Sequence, residues 1–458
     1  MAAKTFRAGF HRICINPEEP MPLTGFANDA AQFHNRVLDD IHASCIALTD
    51  ADDSTALLIT IDACWIQDSL GVPLRKAIWE ATGVAEDRIY LCATHTHSAP
   101  SQFTWVDPCV GRYIQFLIKK VVLCSKEALA DRKPAGMQVG SVEATNMNSF
   151  KHYAVRDINT GEITYAGDIF GTFEGKEILW HVGQSDQTMH LVRFSREEDK
   201  DILLVNWRAH PHFTCGFDSF KLASSYIGPF IRDLESRTDA YAAFFQGACG
   251  NINAGNRIKA ELTFTNATDK LEKMYDYSKK LADYAMKGLQ NLSETMPGSI
   301  RSKQITHNGN VKHTFDHLYP KAKEVVAFWH KAYDPVAANG LANSYGIRSL
   351  FHALDIIYCY EQGDTNPIIL NAVAIGDELA FVTFPGELFD CISVGTERQS
   401  PFKTTMCFGY SHHHVGYMPT AVTYLYTSYE TDITHFVAGT AEDVMARYVQ
   451  MLNELKDA

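Results

Sequence analysis

Runs and alternations of apolar residues predict strands along much of the chain. Residues 6–15 alternate as an opening strand, and residues 37–49 and 54–66 are aliphatic stretches separated by an acidic turn. Two such stretches joined by a polar turn predict a hairpin. Further extended segments are predicted at 89–93, 137–144, 188–194, 202–207, 241–245, 299–311, 356–362, 367–375, 379–384 and 404–410.

Apolar residues at helical spacing predict helices between these strands. Residues 72–82 form one such segment, and the Gly83 that follows suits a helix end. The other predicted helices are 110–130, 226–236, 267–292, the polar stretch 321–354 and a C-terminal helix at 440–455. Residues 146–176 lack clear periodicity, which favours a long loop or flap.

The order of these elements predicts an α/β protein. A strand, a hairpin, a helix and a further strand follow one another, which indicates a mixed sheet covered by helices. The chain of 458 residues shows no internal repeat, low-complexity tract or linker. We therefore predict that residues 1–458 form a single large domain.

The formal net charge of −13 narrows the range of partners. An acidic surface repels nucleic acid and anionic membranes, so a small molecule is the expected partner. Neither a signal peptide nor an apolar stretch of about 20 residues is found, so no membrane insertion is expected. The chain has 11 cysteines without a CxxC pair, which indicates a reducing compartment and a cytoplasmic location.

Two histidines one residue apart follow the predicted strand 89–93. If residues 89–93 form a buried strand, alternation places His95 and His97 on one face, where both imidazoles can reach one metal ion just beyond the strand end. A single His-x-His is a weak signal, because neighbouring histidines in a loop are often only solvated or hydrogen-bonded. Its weight depends on further ligands elsewhere in the chain.

Later strand ends also carry candidate metal ligands. His210 with His212 beside it, Glu387 and Tyr417 each follow a predicted strand. Zinc commonly takes three nitrogen or oxygen ligands and keeps one position open for water. Magnesium prefers oxygen ligands alone, so these residue types favour zinc.

Five short motifs resemble those of the neutral ceramidase family and occur in the family's order. They are THTHSAP at 94–100, AHP at 209–211, FPGE at 384–387, GYMPT at 416–420 and YE at 429–430. The likeness extends to AGF…INP at 8–17 and QGACGN at 246–251, so it spans most of the chain. It implies stacked mixed β-sheets flanked by helices, as in the ceramidase catalytic domain, without that family's C-terminal immunoglobulin-like domain.

The resemblance also implies roles for individual residues. The family's ligands of one zinc ion per chain correspond to His95, His210, Glu387 and Tyr417. Tyr429 corresponds to a tyrosine that hydrogen-bonds the developing oxyanion, and His97 acts as a general base or orients the substrate carbonyl. The implied activity is hydrolysis of an amide (N-acyl) bond by metal-activated water.

The chain departs from the family's pattern at several polar positions. Ser149 replaces an arginine and leaves Lys151 as the nearest cation, and His212 stands where the family has a small residue. These changes favour a small soluble substrate over a long-chain ceramide. The candidate substrate contacts are Lys151, His152, His212, Gln246, Asn251 and His414.

Other chemistry is open to the same residues. Metal-activated water also attacks esters and lactones, and a metal that polarises a carbonyl while His97 moves a proton serves isomerisation or elimination on a sugar-like keto substrate. A non-catalytic metal-binding sensor needs the ligands alone. The oligomeric state is not predicted.

Each candidate also has a purely structural reading. A buried histidine can be satisfied by backbone carbonyl groups, Glu387 can be a turn carboxylate, and Tyr417 can be a core aromatic residue. The run 412–414 is predicted to be an exposed loop, with a second metal site as the alternative. Cys249 is predicted to be a wall residue, and the alternation of Tyr424, Tyr426 and Tyr429 is typical of a strand that packs on a core.

Overall fold

Strands form two main sheets and several smaller ones. The computed structural model describes residues 5–25, 33–167, 173, 175–214, 221–256, 265–332, 334–426 and 428–458. The strands are β1 (Arg7–Cys14), β2 (Leu23–Thr24), β3 (Arg36–Val37), β4 (His42–Thr49), β5 (Thr55–Ile61), β6 (Ile89–Ala93), β7 (Ala99–Pro100), β8 (Lys133–Glu143), β9 (Asn148–Phe150), β10 (His152–Asp157), β11 (Ile163–Gly167), β12 (Lys176–His181), β13 (Thr188–Arg196), β14 (Asp201–Trp207), β15 (Lys221–Leu222), β16 (Ala240–Gln246), β17 (Ile252–Ala254), β18 (Ser293–Thr295), β19 (Ile300–Asn310), β20 (Thr365–Ile375), β21 (Leu379–Thr383), β22 (Glu387–Leu388), β23 (Thr404–Phe408) and β24 (Tyr417–Met418).

Helices occupy most of the connections between strands. They are α1 (Asp68–Thr82), α2 (Pro108–Ala130), α3 (Ile227–Arg237), α4 (Ala267–Leu289), α5 (Tyr319–Ala332), α6 (Pro335–Ser344), α7 (Leu350–Gln362), α8 (Asp390–Gln399), α9 (Tyr429–Ile433) and α10 (Thr440–Asp457). Gly83 adopts a left-handed conformation (φ 74°) and ends α1, as its position in the sequence predicts. None of the helices in the described ranges has both the length and the apolar character needed to cross a lipid bilayer.

The larger sheet has nine strands and is mixed. Its order is β16-β14-β13-β8-β1-β4-β5-β6, and β18 pairs with β8. The predicted hairpin of β4 and β5 is antiparallel, whereas β5 runs parallel to β6 and β14 runs parallel to β16. The smaller sheet has the order β19-β20-β21-β23, and its last pair is parallel.

The two sheets stack face to face. Their facing side chains form one core, in which the ring of Phe408 lies 4.6 Å from that of Phe245 and 5.0 Å from that of Phe381. Helices α1 to α4 cover the outer face of the large sheet, and α8 and α10 cover that of the small sheet. The predicted α/β fold, with stacked mixed sheets flanked by helices, is confirmed.

The prediction of a long loop at 146–176 was wrong. Strands β10, β11 and β12 form a three-stranded antiparallel sheet, in which Tyr153 and Val155 are buried. The strands are short and joined by polar turns, so no period-two pattern extends far enough to be recognised. Residues 168–172 and 174 of the predicted loop lie outside the described residues.

The predicted strand at 356–362 was also wrong, because these residues belong to helix α7. Its buried residues recur every three positions, at Leu350, Ala353, Ile356 and Cys359, so one helical face packs on α5 and α6. The run Ile-Ile-Tyr-Cys-Tyr has high strand propensity, which tertiary packing overrides here. The three tyrosines at 424, 426 and 429 do not form a strand either, since 421–425 is a 3₁₀ turn and Tyr429 begins α9.

Candidate metal centre

The C-terminal ends of strands from both sheets meet at one edge of the fold. The amide of Ala93, at the end of β6, donates to the carbonyl of Tyr410 at 3.1 Å. The amide of Gly409, after β23, donates to the carbonyl of Gln246 at the end of β16, at 2.9 Å. These bonds join the two sheets where the stretches with the candidate metal-binding residues begin. Bound molecules commonly lie at this edge of the sheet in such folds.

His95 follows β6, but the strand does not carry it. The strand ends at Ala93, and His95 adopts a left-handed conformation with φ 65°, so the prediction from strand alternation was wrong. Its Nδ1 lies 2.6 Å from the carbonyl oxygen of Cys64 and donates to it, which turns Nε2 toward the centre. The Nε2 of His97 nevertheless lies only 3.1 Å from that atom, so the two imidazoles do converge.

His210 is held in the same way after β14. Its Nδ1 lies 3.1 Å from the carbonyl oxygen of Ile252, and its Nε2 lies 3.3 Å from Oε2 of Glu387. The Nε2 of His95 lies 3.5 Å from the same carboxylate oxygen. The ligand atoms of His95, His210 and Glu387 all lie within 4.8 Å of one another. Two anchored imidazoles and a carboxylate in this arrangement fit a divalent cation such as zinc.

Glu387 and Tyr417 are brought together by a short strand pair. Strands β22 and β24 are parallel, and Glu387 lies directly opposite Tyr417. Burial and the adjacent Glu387 carboxylate raise the pKa of the Tyr417 phenol, so this phenol lies close to the candidate ligands. Gly250 permits this arrangement, because a Cβ at that position would collide with the backbone carbonyl of Glu387. The fourth predicted ligand therefore lies at the centre.

Burial sets the protonation of these groups. It lowers the pKa of His95 and of His97 well below the usual value, with neighbouring imidazoles adding to the effect, and it lowers that of His210 to about 3. Neutral imidazoles are the form that binds metal. Burial raises the pKa of Glu387 to about 7, so a cation beside this carboxylate would relieve an unfavourable buried charge.

His97 and His212 form one wall of the centre. The Nδ1 of His97 lies 3.0 Å from the carbonyl oxygen of Gly25, which leaves Nε2 directed at His95. The ring of His212 lies 4.6 Å from those of His97 and His210. Donor sets that include His97 with Cys64 or with His212 are also close enough for a metal. The set with Glu387 is preferred, since it alone of the three supplies a carboxylate.

A buried ion-pair network adjoins Tyr417. The Lys151 ammonium lies 2.8 Å from Oε1 of Glu430 and 5.1 Å from the centre of the Tyr417 ring. His152 uses both ring nitrogens within the protein, at 3.0 Å from Glu430 and 2.9 Å from the hydroxyl of Tyr426. Glu430 is buried, yet the nearby Lys151 and His152 hold its pKa below the usual value. Lys151 therefore faces the centre, whereas His152 supports Glu430.

Two of the predicted substrate contacts join loops of the protein. The Gln246 amide donates to the carbonyl oxygens of Thr94 and Ala209 at 3.2 and 3.0 Å, so it links the residues that precede His95 and His210. Asn251 exchanges two hydrogen bonds with Asp390, at 2.9 and 3.1 Å. The hydrogen-bonding groups of Gln246 and Asn251 are therefore used within the protein, where they fix the loops that surround the centre.

The prediction that the run of three histidines forms an exposed loop was wrong. His412 is 2% and His413 9% exposed, and the Nε2 of His412 lies 3.0 Å from the hydroxyl of Thr383. The ring of His414 packs on that of Trp65 at 4.9 Å. The Nδ1 atoms of all three histidines lack a hydrogen-bond partner among the described residues. His414 is the least buried of the three and lies near enough to Glu387 for that carboxylate to act on its pKa, so it is the one placed to meet a ligand at the centre.

Sequence reasoning missed three residues of this centre. The ring of Tyr410 stacks on His95 at 3.8 Å, Glu430 anchors Lys151, and Trp65 supports His414. Tyr410 is the last residue of a predicted strand, close to where the candidate ligands stand, and Glu430 stands in the YE motif. Tyr429, the residue before it, packs its ring 5.8 Å from that of Tyr417.

Comparison with known proteins bears on the fold. No family model and no curated protein matches the sequence. The neutral ceramidase from Pseudomonas aeruginosa superposes with a TM-score of 0.71 and 15% identity, over 99% of this chain and 75% of that one. A ceramidase complexed with C2 gives a TM-score of 0.69 and 14% identity with the same coverage.

This chain has the neutral ceramidase fold. The likeness that the short motifs indicate is confirmed at the level of the fold, and it extends over nearly the whole chain. In this neutral ceramidase fold, the motif residues His95, His210, Glu387 and Tyr417 come from four separate stretches and meet at one edge.

Proposed function

We propose that the chain is a zinc-dependent hydrolase that cleaves an amide (N-acyl) bond in a small substrate. The observation that carries the proposal is the convergence of His95, His210 and Glu387 at the strand ends of a neutral ceramidase fold. Both imidazoles are anchored through Nδ1 by backbone carbonyls, and burial keeps both neutral. This is the state in which a metal ion is bound.

The proposed zinc site, with one ion per chain, consists of His95, His210, Glu387 and Tyr417. When bound, zinc supplies a Lewis acid that polarises a carbonyl group and acidifies a water molecule. Zinc accepts imidazole and carboxylate ligands together, whereas magnesium favours oxygen ligands alone. The phenol of Tyr417 reaches the site through its contact with Glu387.

His97 is the proposed general base. Its Nδ1 is oriented toward the carbonyl of Gly25, and its Nε2 lies in the centre. Burial lowers its pKa, so the ring is neutral at pH 7 and able to accept a proton from water and return it to the leaving nitrogen. Tyr429 is the proposed oxyanion donor, because burial raises the pKa of its phenol and keeps the proton in place for donation.

The remaining contacts divide into two groups. Lys151, His212 and His414 are proposed to contact substrate, since Lys151 lies over the Tyr417 ring, His212 packs on His97, and the charge of Glu387 acts on the pKa of His414. His152, Gln246 and Asn251, which were also predicted contacts, are now proposed to position those residues and the ligands. The cationic and imidazole groups suit a small polar substrate. The cytoplasmic location stays a prediction from the cysteine pattern.

Two variants separate a catalyst from a metal-binding sensor. His97→Ala and Tyr429→Phe should retain zinc but lower kcat, by about 10²–10⁴ for a general base and about 10²–10³ for an oxyanion donor. His95→Ala should lose both zinc and turnover. Turnover unchanged in both His97→Ala and Tyr429→Phe would contradict the catalytic assignment and favour a sensor.

Solvent-oxygen labelling identifies the reaction. A panel of N-acyl compounds and matched esters and lactones is incubated in ¹⁸O-water, and the products are measured by mass spectrometry. Amide hydrolysis places one ¹⁸O atom in the product acid and releases the amine. Faster cleavage of the matched ester or lactone would replace the amide assignment, and turnover of a keto-sugar without label in an acid product would favour isomerisation or elimination.

A further inference from the structure

A polar cavity is bordered by Thr94, the residue before His95. It has a volume of about 490 Å³ and is enclosed by β1, β4 and β5 on one side and by α3 and β16 on the other. Its outer end is at Asp40, which is exposed, and its inner end is at Thr60 and Thr94. The cavity is large enough for a molecule the size of a monosaccharide, since ligand sites commonly measure about 300–1,000 Å³.

Two arginines line the cavity, and both are already paired within the protein. Arg12 donates to both carboxylate oxygens of Glu235, at 3.1 and 3.0 Å, and also contacts the carbonyl of Ala242. Arg232 donates to Asp39 at 2.5 Å. Because each guanidinium has a carboxylate partner, neither offers a free positive charge to an anionic ligand.

Asp62 lines the same cavity without a cationic partner. Its carboxylate accepts the backbone amide of His42 at 2.8 Å and the hydroxyl of Thr94 at 3.1 Å, and no ion pair with it is found in the described part of the chain. Both donors are neutral. Burial raises the pKa of this carboxyl to about 7, and the two hydrogen bonds and the more distant charge of Arg12, which is itself paired with Glu235, offset that effect only in part.

Thr60 supplies an independent sign of a missing ligand. Its side chain lines the cavity and is only 5% exposed, yet its hydroxyl has no hydrogen-bond partner among the described residues. Buried hydroxyl groups are nearly always satisfied, so one directed into a polar cavity indicates a partner that occupies the cavity. Thr60 and Asp62 stand two residues apart at the end of β5.

We propose that this cavity binds a small hydroxylated primary ammonium compound, with its ammonium on Asp62 and a hydroxyl on Thr60. A primary ammonium provides the donor and the positive charge that Asp62 lacks, and a hydroxyl group can serve Thr60 as donor or acceptor. A neutral polyol satisfies only the hydroxyl, and an anion is repelled by Asp62. The site is distinct from the metal centre and does not require a bound metal.

Isothermal titration calorimetry with matched probes tests this proposal. Glucosamine is compared with glucose, and ethanolamine with ethylene glycol, on the full chain after treatment with a chelator. Each ammonium compound should bind at least about tenfold more tightly than its neutral twin, which corresponds to one tenfold step in the binding constant. Because the metal has been removed, the binding result does not depend on whether the proposed hydrolase activity is correct.

Two variants assign the binding to the named side chains. Asp62→Asn keeps the shape and should abolish the preference for the ammonium member of each pair. Thr60→Val should weaken glucosamine binding while the protein stays folded, as checked by circular dichroism. Asp364→Asn, at a fully exposed carboxylate, is the control and should bind as the wild type does. Equal affinities within the pairs, unchanged binding by Asp62→Asn, or no binding of either ammonium compound would overturn the proposal.

Discussion

Tyr410 stacks flat on His95, with ring centroids 3.8 Å apart and ring planes 21° from parallel, and its hydroxyl donates to Glu387 at 3.4 Å. One residue that follows the last strand of the small sheet therefore holds two proposed metal ligands that come from different stretches. Tyr410 itself has φ 54°, which is uncommon for a residue with a side chain. Strained backbone at both His95 and Tyr410 is typical of a functional site.

Removal of the Tyr410 hydroxyl tests this support. Tyr410→Phe keeps the stacked ring and deletes the bond to Glu387 together with a 3.1 Å contact to the Cys249 sulfur, so we expect zinc affinity to fall by about 10–100-fold, as for other residues that orient metal ligands. The measurement is a competitive titration with a chromogenic chelator. Tyr113→Phe is the matched control, because its hydroxyl is also buried but bonds to the remote carbonyl of Ile15. Equal zinc affinity in both variants would mean that Tyr410 has no part in metal binding.

The close approach of two backbones at Gly250 gives a second prediction. A Cβ there collides with the carbonyl of Glu387, and neither backbone moves easily. Gly250→Ala should therefore destabilise the fold by about 1–3 kcal/mol and weaken zinc binding. Gly111→Ala in α2, where a Cβ meets nothing within 4 Å, should instead stabilise by about 0.5–1 kcal/mol. Urea unfolding checks both, and a neutral effect of Gly250→Ala would contradict the packing described.

The buried pair of Lys151 and Glu430 should couple strongly. Lys151→Met leaves the Glu430 carboxylate buried with only His152 beside it, and removal of one partner of such a pair costs about 3–5 kcal/mol. Lys151→Met/Glu430→Gln should recover part of that loss, because it removes the stranded charge. Denaturant unfolding of the wild type, both single variants and the double variant gives the coupling energy. Strict additivity of the two changes would show that the groups do not interact.

Much of the centre is predictable because three of the four proposed ligands stand within about four residues of the end of an apolar strand. The stretches around His95, His210 and Glu387 stand out locally as polar residues at strand ends. The contacts of Tyr410 and Glu430 are not predictable in this way, since each depends on partners more than 20 residues away. The predictions for the short strand β10 and for helix α7, which has a strand-like composition, fail for the same reason. Tertiary packing decides these elements, and the local sequence pattern does not.

Acid should destabilise the protein through Glu397. This carboxylate is largely buried, but Arg208 at 2.8 Å outweighs the burial and lowers its pKa to about 2. A carboxylate with a lowered pKa in the folded state contributes stability above its unfolded pKa of about 4.3, and this stability is lost as the pH falls toward the folded value. Urea unfolding between pH 5 and 3 should therefore show a smaller loss for Glu397→Gln than for the wild type. Parallel losses would contradict the ion pair.

The zinc content of the purified chain tests the central claim most directly. Elemental mass spectrometry of the wild type, after dialysis against limiting zinc, should give about one zinc per chain. His95→Gln and Glu387→Gln should each lose most of it, while His413→Gln, a buried histidine outside the ligand set, should retain it. A wild type that holds no zinc, or a His95→Gln variant that holds as much as the wild type, would contradict the account.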